Sequence, residues 1–322
     1  MNNTALSLSA LFLTAALGCA ASTHPAQPST LGVARPASAL LAVIDQPGPV
    51  ELTTVASADW VVPLEGLINL EHEKAKAAGL EDRPEPIQIF FHVLKHPSAG
   101  TFLVDTGVQK ALKYDPDRSI IRGLVAAAMH RDEVKVSAAL GDWLAEQQVK
   151  LSGVMLTHLH LDHVLGLPDV EKGVPIYIGP NEVDETKFMN VFTQGPIDEA
   201  LDGHAALSSW QFQADADGRF EGVIDVFGDG SVWAIWVPGH TPGSTAYLVR
   251  TTKGPVLLAG DACHTAWGWD HGVEPGKFST DQAASKRELD KLLALVAEHP
   301  AIEVRLGHQA HGSAAVAAIP ER

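Results

Sequence analysis

Thr157-His158-Leu159-His160-Leu161-Asp162-His163 follows directly on the apolar run Val154-Met155-Leu156. Three imidazoles and a carboxylate within six residues, placed straight after a strand, are too many polar groups for packing. In an extended turn, alternation sets His158 and His160 on one side, and Asp162 and His163 reach a neighbouring point as the chain turns towards a helix. Imidazole nitrogen and carboxylate oxygen are donors suited to Zn²⁺, with bonds of about 2.0–2.2 Å. The stretch is a candidate metal site, and 15 histidines in 322 residues, more than packing needs, point the same way.

On either side of it, strand patterns recur with turn chemistry between them: residues 87–94, 100–104 leading into Asp105-Thr106-Gly107, 174–178, 231–237, 244–250 and 256–259. Ser137 is placed to cap a helix with the apolar stripe Leu140, Trp143, Leu144 and Val149. The clearest helix opens on Ser279 with Gln282, a capping-box pattern, and carries Leu289, Leu292, Leu293 and Val296 at i, i+3, i+4, i+7. His299-Pro300 ends it, and residues 302–306 form a closing strand before Gly307-His308. Residues 184–230, with their Gly and Asp clusters, read as an irregular insertion or lid. Strands with helices between some of them predict an α/β (α+β) fold of sheets covered by helices. With 46% apolar residues, one large domain over residues 40–322 has enough material for its core.

Composition narrows the partners. With 23 basic against 39 acidic side chains, a net charge of −16 repels a phosphate backbone and argues against nucleic acid. No solenoid-period repeat is visible. Cys19 and Cys263 are the two cysteines, and nothing pairs them, so the core holds the fold. Residues 6–19, LSLSALFLTAALGC, are apolar and uncharged, too short to span a bilayer and of signal-peptide length. Gly18-Cys19 after Leu17 resembles a bacterial lipobox, although Leu17 sits one place nearer the cysteine than usual and MNNT lacks Lys and Arg. Cleavage after Ala20 or Ala21 is the alternative. The expectation is a signal peptide over residues 1–19 and a flexible Ala/Ser/Thr/Pro-rich linker over 20–39. The protein is then exported, periplasmic or an outer-membrane lipoprotein, and touches the membrane only through an N-terminal lipid anchor.

The HxHxDH stretch resembles the signature of the metallo-β-lactamase superfamily, and the further ligands of that family have matches here in the right order. Asp105, in Leu103-Val104-Asp105-Thr106-Gly107, is similar to its early structural aspartate. His240 in Pro238-Gly239-His240-Thr241-Pro242-Gly243, Asp261 in Leu258-Ala259-Gly260-Asp261, and His308 in Gly307-His308 match the later ligands. The resemblance covers roughly residues 87–310. It implies a four-layer αββα sandwich with the metal site at one edge of the sheets. It also implies two divalent ions, zinc first, with iron or manganese suiting the same donors. His158, His160 and His240 would hold one, Asp162, His163 and His308 the other, with Asp261 between them and Asp105 supporting from behind. Such a pair shares a hydroxide as nucleophile, and Asp162 would shuttle a proton to the leaving group. The other histidines, His24, His72, His92, His96, His130, His204, His299 and His311, read as surface or helix-end residues, and Cys263 as a small buried one.

Within the superfamily, B1 β-lactamases place a cysteine where Asp261 stands, and B3 enzymes lack that acid. Nucleases add basic elements, and glyoxalase II needs a basic C-terminal extension where about fourteen residues follow His308 here. The ligand set is most similar to the N-acyl homoserine lactonases. In them a tyrosine three residues after the bridging aspartate hydrogen-bonds the substrate carbonyl; this chain has His264, whose neutral or charged imidazole the resemblance makes a catalytic donor. Trp267 and Trp269 either line an apolar acyl pocket or pack under a loop. The expected reaction is ring opening of a lactone, or cleavage of a related ester, in a small-molecule substrate. Another hydrolase (phosphodiesterase, thioesterase or β-lactamase) and a metal-binding protein without turnover are the alternatives. Intact Asp162 and Asp261 argue against the last.

Overall fold

In the strand Val232–Trp236, Val232 and Ala234 face one way, Trp233 and Ile235 the other, and all four are buried. A strand buried on both faces must lie between two layers. The strands Thr245–Thr251 and Gly254–Gly260 behave alike. Their inward set, with Tyr247, Val249 and Leu258, meets Phe102, Val104 and Met155 of a second sheet. Their outward set, with Leu248 and Leu257, packs under Leu289, Leu292 and Leu295 of the helix Gln282–Glu298. On the far side, Phe91, Leu103 and Val154 of the second sheet bury against a third cluster that includes Leu140 and Trp143 of the helix Leu140–Gln147. The result is the expected helix–sheet–sheet–helix order. The computed structural model describes residues 19–187 and 189–311; the expected signal segment up to residue 18 lies outside the described residues.

The larger sheet runs Ala26–Pro28, Leu207–Ser209, Ile176–Ile178, Leu151–Met155, Gly100–Val104, Pro84–His96, Glu51–Pro63, Lys135–Val136. The smaller runs Glu303–Leu306, Gly254–Gly260, Thr245–Thr251, Val232–Trp236, Gly222–Asp225, Val33–Arg35. Register decides where the motifs meet. Val104 pairs in parallel with Met155, so Asp105 leaves the sheet beside Thr157. Gly260 pairs in parallel with Leu306, so Asp261 leaves the other sheet beside Gly307-His308. Thr245 N donates to Thr157 O at 2.8 Å and joins the two sheets at this edge.

Four expectations are corrected. Residues 20–39 are not a tether. Ala26–Pro28 and Val33–Arg35 close an edge of each sheet, and Thr23 Oγ1 donates to Asp198 at 2.6 Å. Pro28 is tolerated because an edge strand need not donate on its outer side. The domain therefore reaches back to Cys19–Ala20, which pairs with Thr186–Lys187. Residues 184–230 are not irregular throughout, since they hold the helix Asn190–Leu201 and the strands Leu207–Ser209 and Gly222–Asp225. Asp281, not Ser279, caps the long helix, accepting from Ala284 N at 2.9 Å. Ser137 caps nothing: its N–H donates to Ser57 O, and the helix Leu140–Gln147 follows Ala139 with no side-chain cap. The strand Glu51–Pro63, as long as any in the fold, went unread.

Candidate metal centre

Each motif residue sits just past a strand end, and the parallel registers bring these ends together. Asp261 Oδ2 lies 3.1–3.7 Å from a ring nitrogen of each of His158, His163, His240, His264 and His308. His308 Nε2 is also 3.2 Å from Asp162 Oδ2, and His240 Nε2 is 2.9 Å from His160 Nδ1. The donor atoms fall into compact groups: His158, His160, His240; Asp162, His163, His308; and His158, His163, Asp261. The first two are the groups that the resemblance implies, and the third sets Asp261 beside one member of each. Gly307 is required here, because a Cβ on it would stand 2.0 Å from Asp261 Oδ1.

A supporting layer orients the candidate ligands. Asp105, held at φ +56°, accepts from Thr157 N at 2.8 Å, Thr157 Oγ1 at 2.9 Å and His163 Nδ1 at 2.8 Å. This fixes the His163 tautomer and turns Nε2 towards the cluster. His308 Nδ1 donates to Gln88 O at 3.0 Å with the same effect. Sequence reading missed Glu182. It is buried, and its carboxylate accepts from Leu159 N and Gly243 N, both at 2.7 Å, and from Thr241 Oγ1. It thereby ties the His158–His160 turn to the His240 turn, while burial pushes its carboxyl up to about 7 despite these donors.

The electrostatics divide the imidazoles. Burial holds His158 and His240 well below the ordinary histidine value. Burial opposes charge on His163 and His308 too, but neighbouring carboxylates outweigh it, and His308 is raised to about 10. Asp162 and Asp261 are lowered: burial resists, and the surrounding imidazoles prevail. The buried atoms His158 Nε2, His163 Nε2, His264 Nε2 and Asp261 Oδ1 have no hydrogen-bond partner among the described residues. Such groups cost free energy unless they meet a partner, and lone pairs converging from imidazole and carboxylate fit divalent cations.

The cluster forms the floor of a cleft of about 290 Å³ walled by Trp60, Val62, Leu67, Ile87, Met189 and Phe278. Trp267 and Trp269 do not border it. Both lie in the helix Ala266–His271, where Trp267 stacks on His271 and Trp269 is buried in the outer core. Part of the apolar wall, Trp60 to Pro63, comes from the strand Glu51–Pro63, which sequence reading did not place. His264 borders the cleft, with Nδ1 2.9 Å from Leu67 O. A carbonyl only accepts, so the proton is on Nδ1, and the neutral ring has none on Nε2 to offer a substrate. Of the neutral and charged forms expected to donate, the contact with Leu67 O leaves only the charged one a proton on Nε2. Cys263 is buried as expected. His92, His96 and His204 are buried rather than superficial; His92 Nδ1 meets Thr54 Oγ1 at 2.7 Å inside the larger sheet.

A two-sheet sandwich whose strand ends bring imidazoles and carboxylates to one shared aspartate defines a metal-dependent hydrolase. Residues 85–308 match the metallo-beta-lactamase superfamily domain, and the chain belongs to that superfamily. It is 30% identical over 233 residues to N-acyl homoserine lactonase AttM of Azorhizobium caulinodans, covering 69% of this chain and 82% of the relative. The fold resembles an N-acyl homoserine lactone hydrolase solved with N-hexanoyl-L-homoserine bound at its catalytic metal center. There the TM-score is 0.57 and the identity 17%, over 83% of this chain and 94% of the other. It also resembles AidC, a dizinc quorum-quenching lactonase, with a TM-score of 0.52 and 15% identity over 86% and 91% of the two chains.

Proposed function

We propose that this hydrolase opens the ring of a lactone, specifically an N-acyl homoserine lactone. The observation that carries the reading is an apolar cleft that ends on the ligand cluster, in a chain similar to AttM. The donor sets would hold two divalent ions, zinc first: His158, His160 and His240 one, Asp162, His163 and His308 the other, with Asp261 shared. When bound, such a pair supplies an acidified water as nucleophile and positive charge for the attacked carbonyl.

The chain's own residues do the rest. Trp60, Ile87, Met189 and Phe278 take the acyl chain and exclude water around it. Asp162 is the proton relay to the leaving alkoxide. Both carboxylates border the cleft, and the Asp162 side chain is 19% exposed against 4% for Asp261, so Asp162 is the more open of the two to a substrate. A panel of lactones, aryl esters, thioesters, phosphodiesters and β-lactams on metal-loaded protein tests the reading. Acyl homoserine lactones should turn over fastest; rapid phosphodiester cleavage with inert lactones would overturn it.

The uncharged apolar stretch 6–19 supports export, with the mature chain starting near Cys19 in the periplasm or on a lipid anchor. No helix among the described residues is long and apolar enough to cross a membrane. Mass spectrometry of the native N-terminus tests this, and an intact Met1 would refute it.

A further inference from the structure

We infer that His264 is an additional metal ligand of this centre, sharing an ion with His240 and Asp261, rather than a hydrogen-bond donor to the substrate. The inference rests on the metal-dependent reading above but not on the lactone. Its first support is the tautomer. Leu67 O, a main-chain carbonyl 2.9 Å away, holds the ring proton on Nδ1. With Nδ1 engaged by the carbonyl, Nε2 is the ring atom turned to the cluster, the arrangement by which an outer acceptor orients an imidazole for a cation.

The second support is placement. His264 is fully buried, and its Nε2 is aimed at Asp261 Oδ2, 3.1 Å away, with no hydrogen-bond partner among the described residues. The donor atoms of His240, Asp261 and His264 lie within 4.8 Å of one another, the same closeness that joins His158, His160 and His240. The ring stands edge-on to His240 at 4.9 Å and is stacked on His308 at 5.6 Å. Main-chain bonds hold this position: His308 N donates to His264 O at 3.1 Å and Gly307 N to Cys263 O at 3.1 Å. A side chain fixed at both its backbone and its Nδ1 is preorganised, as a ligand must be.

The test reads the metal, not turnover. In zinc-loaded protein labelled with ¹⁵N-histidine, His264 Nδ1 should stay protonated while Nε2 leaves its free, lone-pair shift on zinc addition. His264→Phe, which keeps the ring volume, should weaken one of the two ions by at least about tenfold in chelator competition, the lower end of what losing even an outer partner costs. It should also change the visible spectrum of the cobalt-substituted protein. A proton on Nε2 in the zinc-loaded protein would overturn the inference without any substitution. So would unchanged affinity and an unchanged cobalt spectrum in His264→Phe. If lactones prove inert while these metal readouts hold, the substrate reading fails and this one stands.

Discussion

Asp105 makes no contact with the cleft, yet the direction of His163 depends on it. Its left-handed backbone, φ +56°, is one that Asn also accepts readily, so Asp105→Asn isolates the chemistry from the shape. The amide has one accepting oxygen where the carboxylate uses two, against Thr157 and His163. One of those donors must then face an NH₂ group, and His163 loses its orientation or its tautomer. Metal affinity should fall about 10–100-fold with the fold intact, as read by chelator competition and circular dichroism; unchanged affinity would exclude the aiming role. Asp261→Asn and Asp162→Asn strike closer. Asp261 Oδ2 faces five ring nitrogens, and Asp162 is the proposed proton relay, so each substitution should lose most turnover while keeping its circular dichroism. If Asp261→Asn kept near-normal turnover with both ions bound, its shared position would be wrong.

At the scale of elements, the centre depends on turns from both sheets staying in register, and Glu182 clasps two of them. Glu182→Ala leaves Leu159 N, Gly243 N and Thr241 Oγ1 without their acceptor. Each buried donor left unmade costs about 1–3 kcal/mol, so the denaturant midpoint should drop clearly and metal affinity with it. A variant as stable as the parent would show that water replaces the clasp at no cost. Glu182 also marks the limit of what sequence discloses. The candidate ligands were legible because each lies in the turn that leaves an apolar strand, and HxHxDH is dense enough to need no partner. Glu182 acts only because turns distant in sequence meet, and no local period records that. The edge strands Ala26–Pro28 and Val33–Arg35 were hidden for the same reason, since three-residue strands in an Ala-, Ser- and Pro-rich stretch read as linker until the strands they pair with are known. Trp267 and Trp269 misled in the opposite sense: aromatic residues near a motif look like a pocket, but the helix Ala266–His271 turns them into the packing.

For the whole molecule, these histidines set a pH profile whose sign can be worked out. In the metal-free protein, His163 and His308 have folded values raised above the ordinary 6.5, His308 to about 10. Their contribution is complete below about pH 6.5 and is lost as pH rises towards 10. His158, His160 and His240 are lowered, chiefly by burial, as are His92, to about 3, and His204, to about 4. Folding keeps these rings neutral, so their contribution is complete above about pH 6.5 and is lost as pH falls through the folded values. The lowered Asp162 and Asp261 add a further loss under acid, below the ordinary carboxylate range. Glu182, raised to about 7, runs the other way and offsets part of the loss between about pH 4.5 and 7. The metal-free Tm should therefore peak near pH 6.5 and decline on both flanks. Zinc requires unprotonated His163 and His308, so it takes the place of their protons and removes the alkaline flank, while acid, by returning those protons, expels it. The maximum of the zinc-loaded protein should then lie at higher pH than that of the metal-free protein. Calorimetric scans of both forms between pH 4 and 10 measure the difference, and a metal-free Tm that climbed steadily from pH 6.5 to 9 would contradict the charge state assigned to His163 and His308.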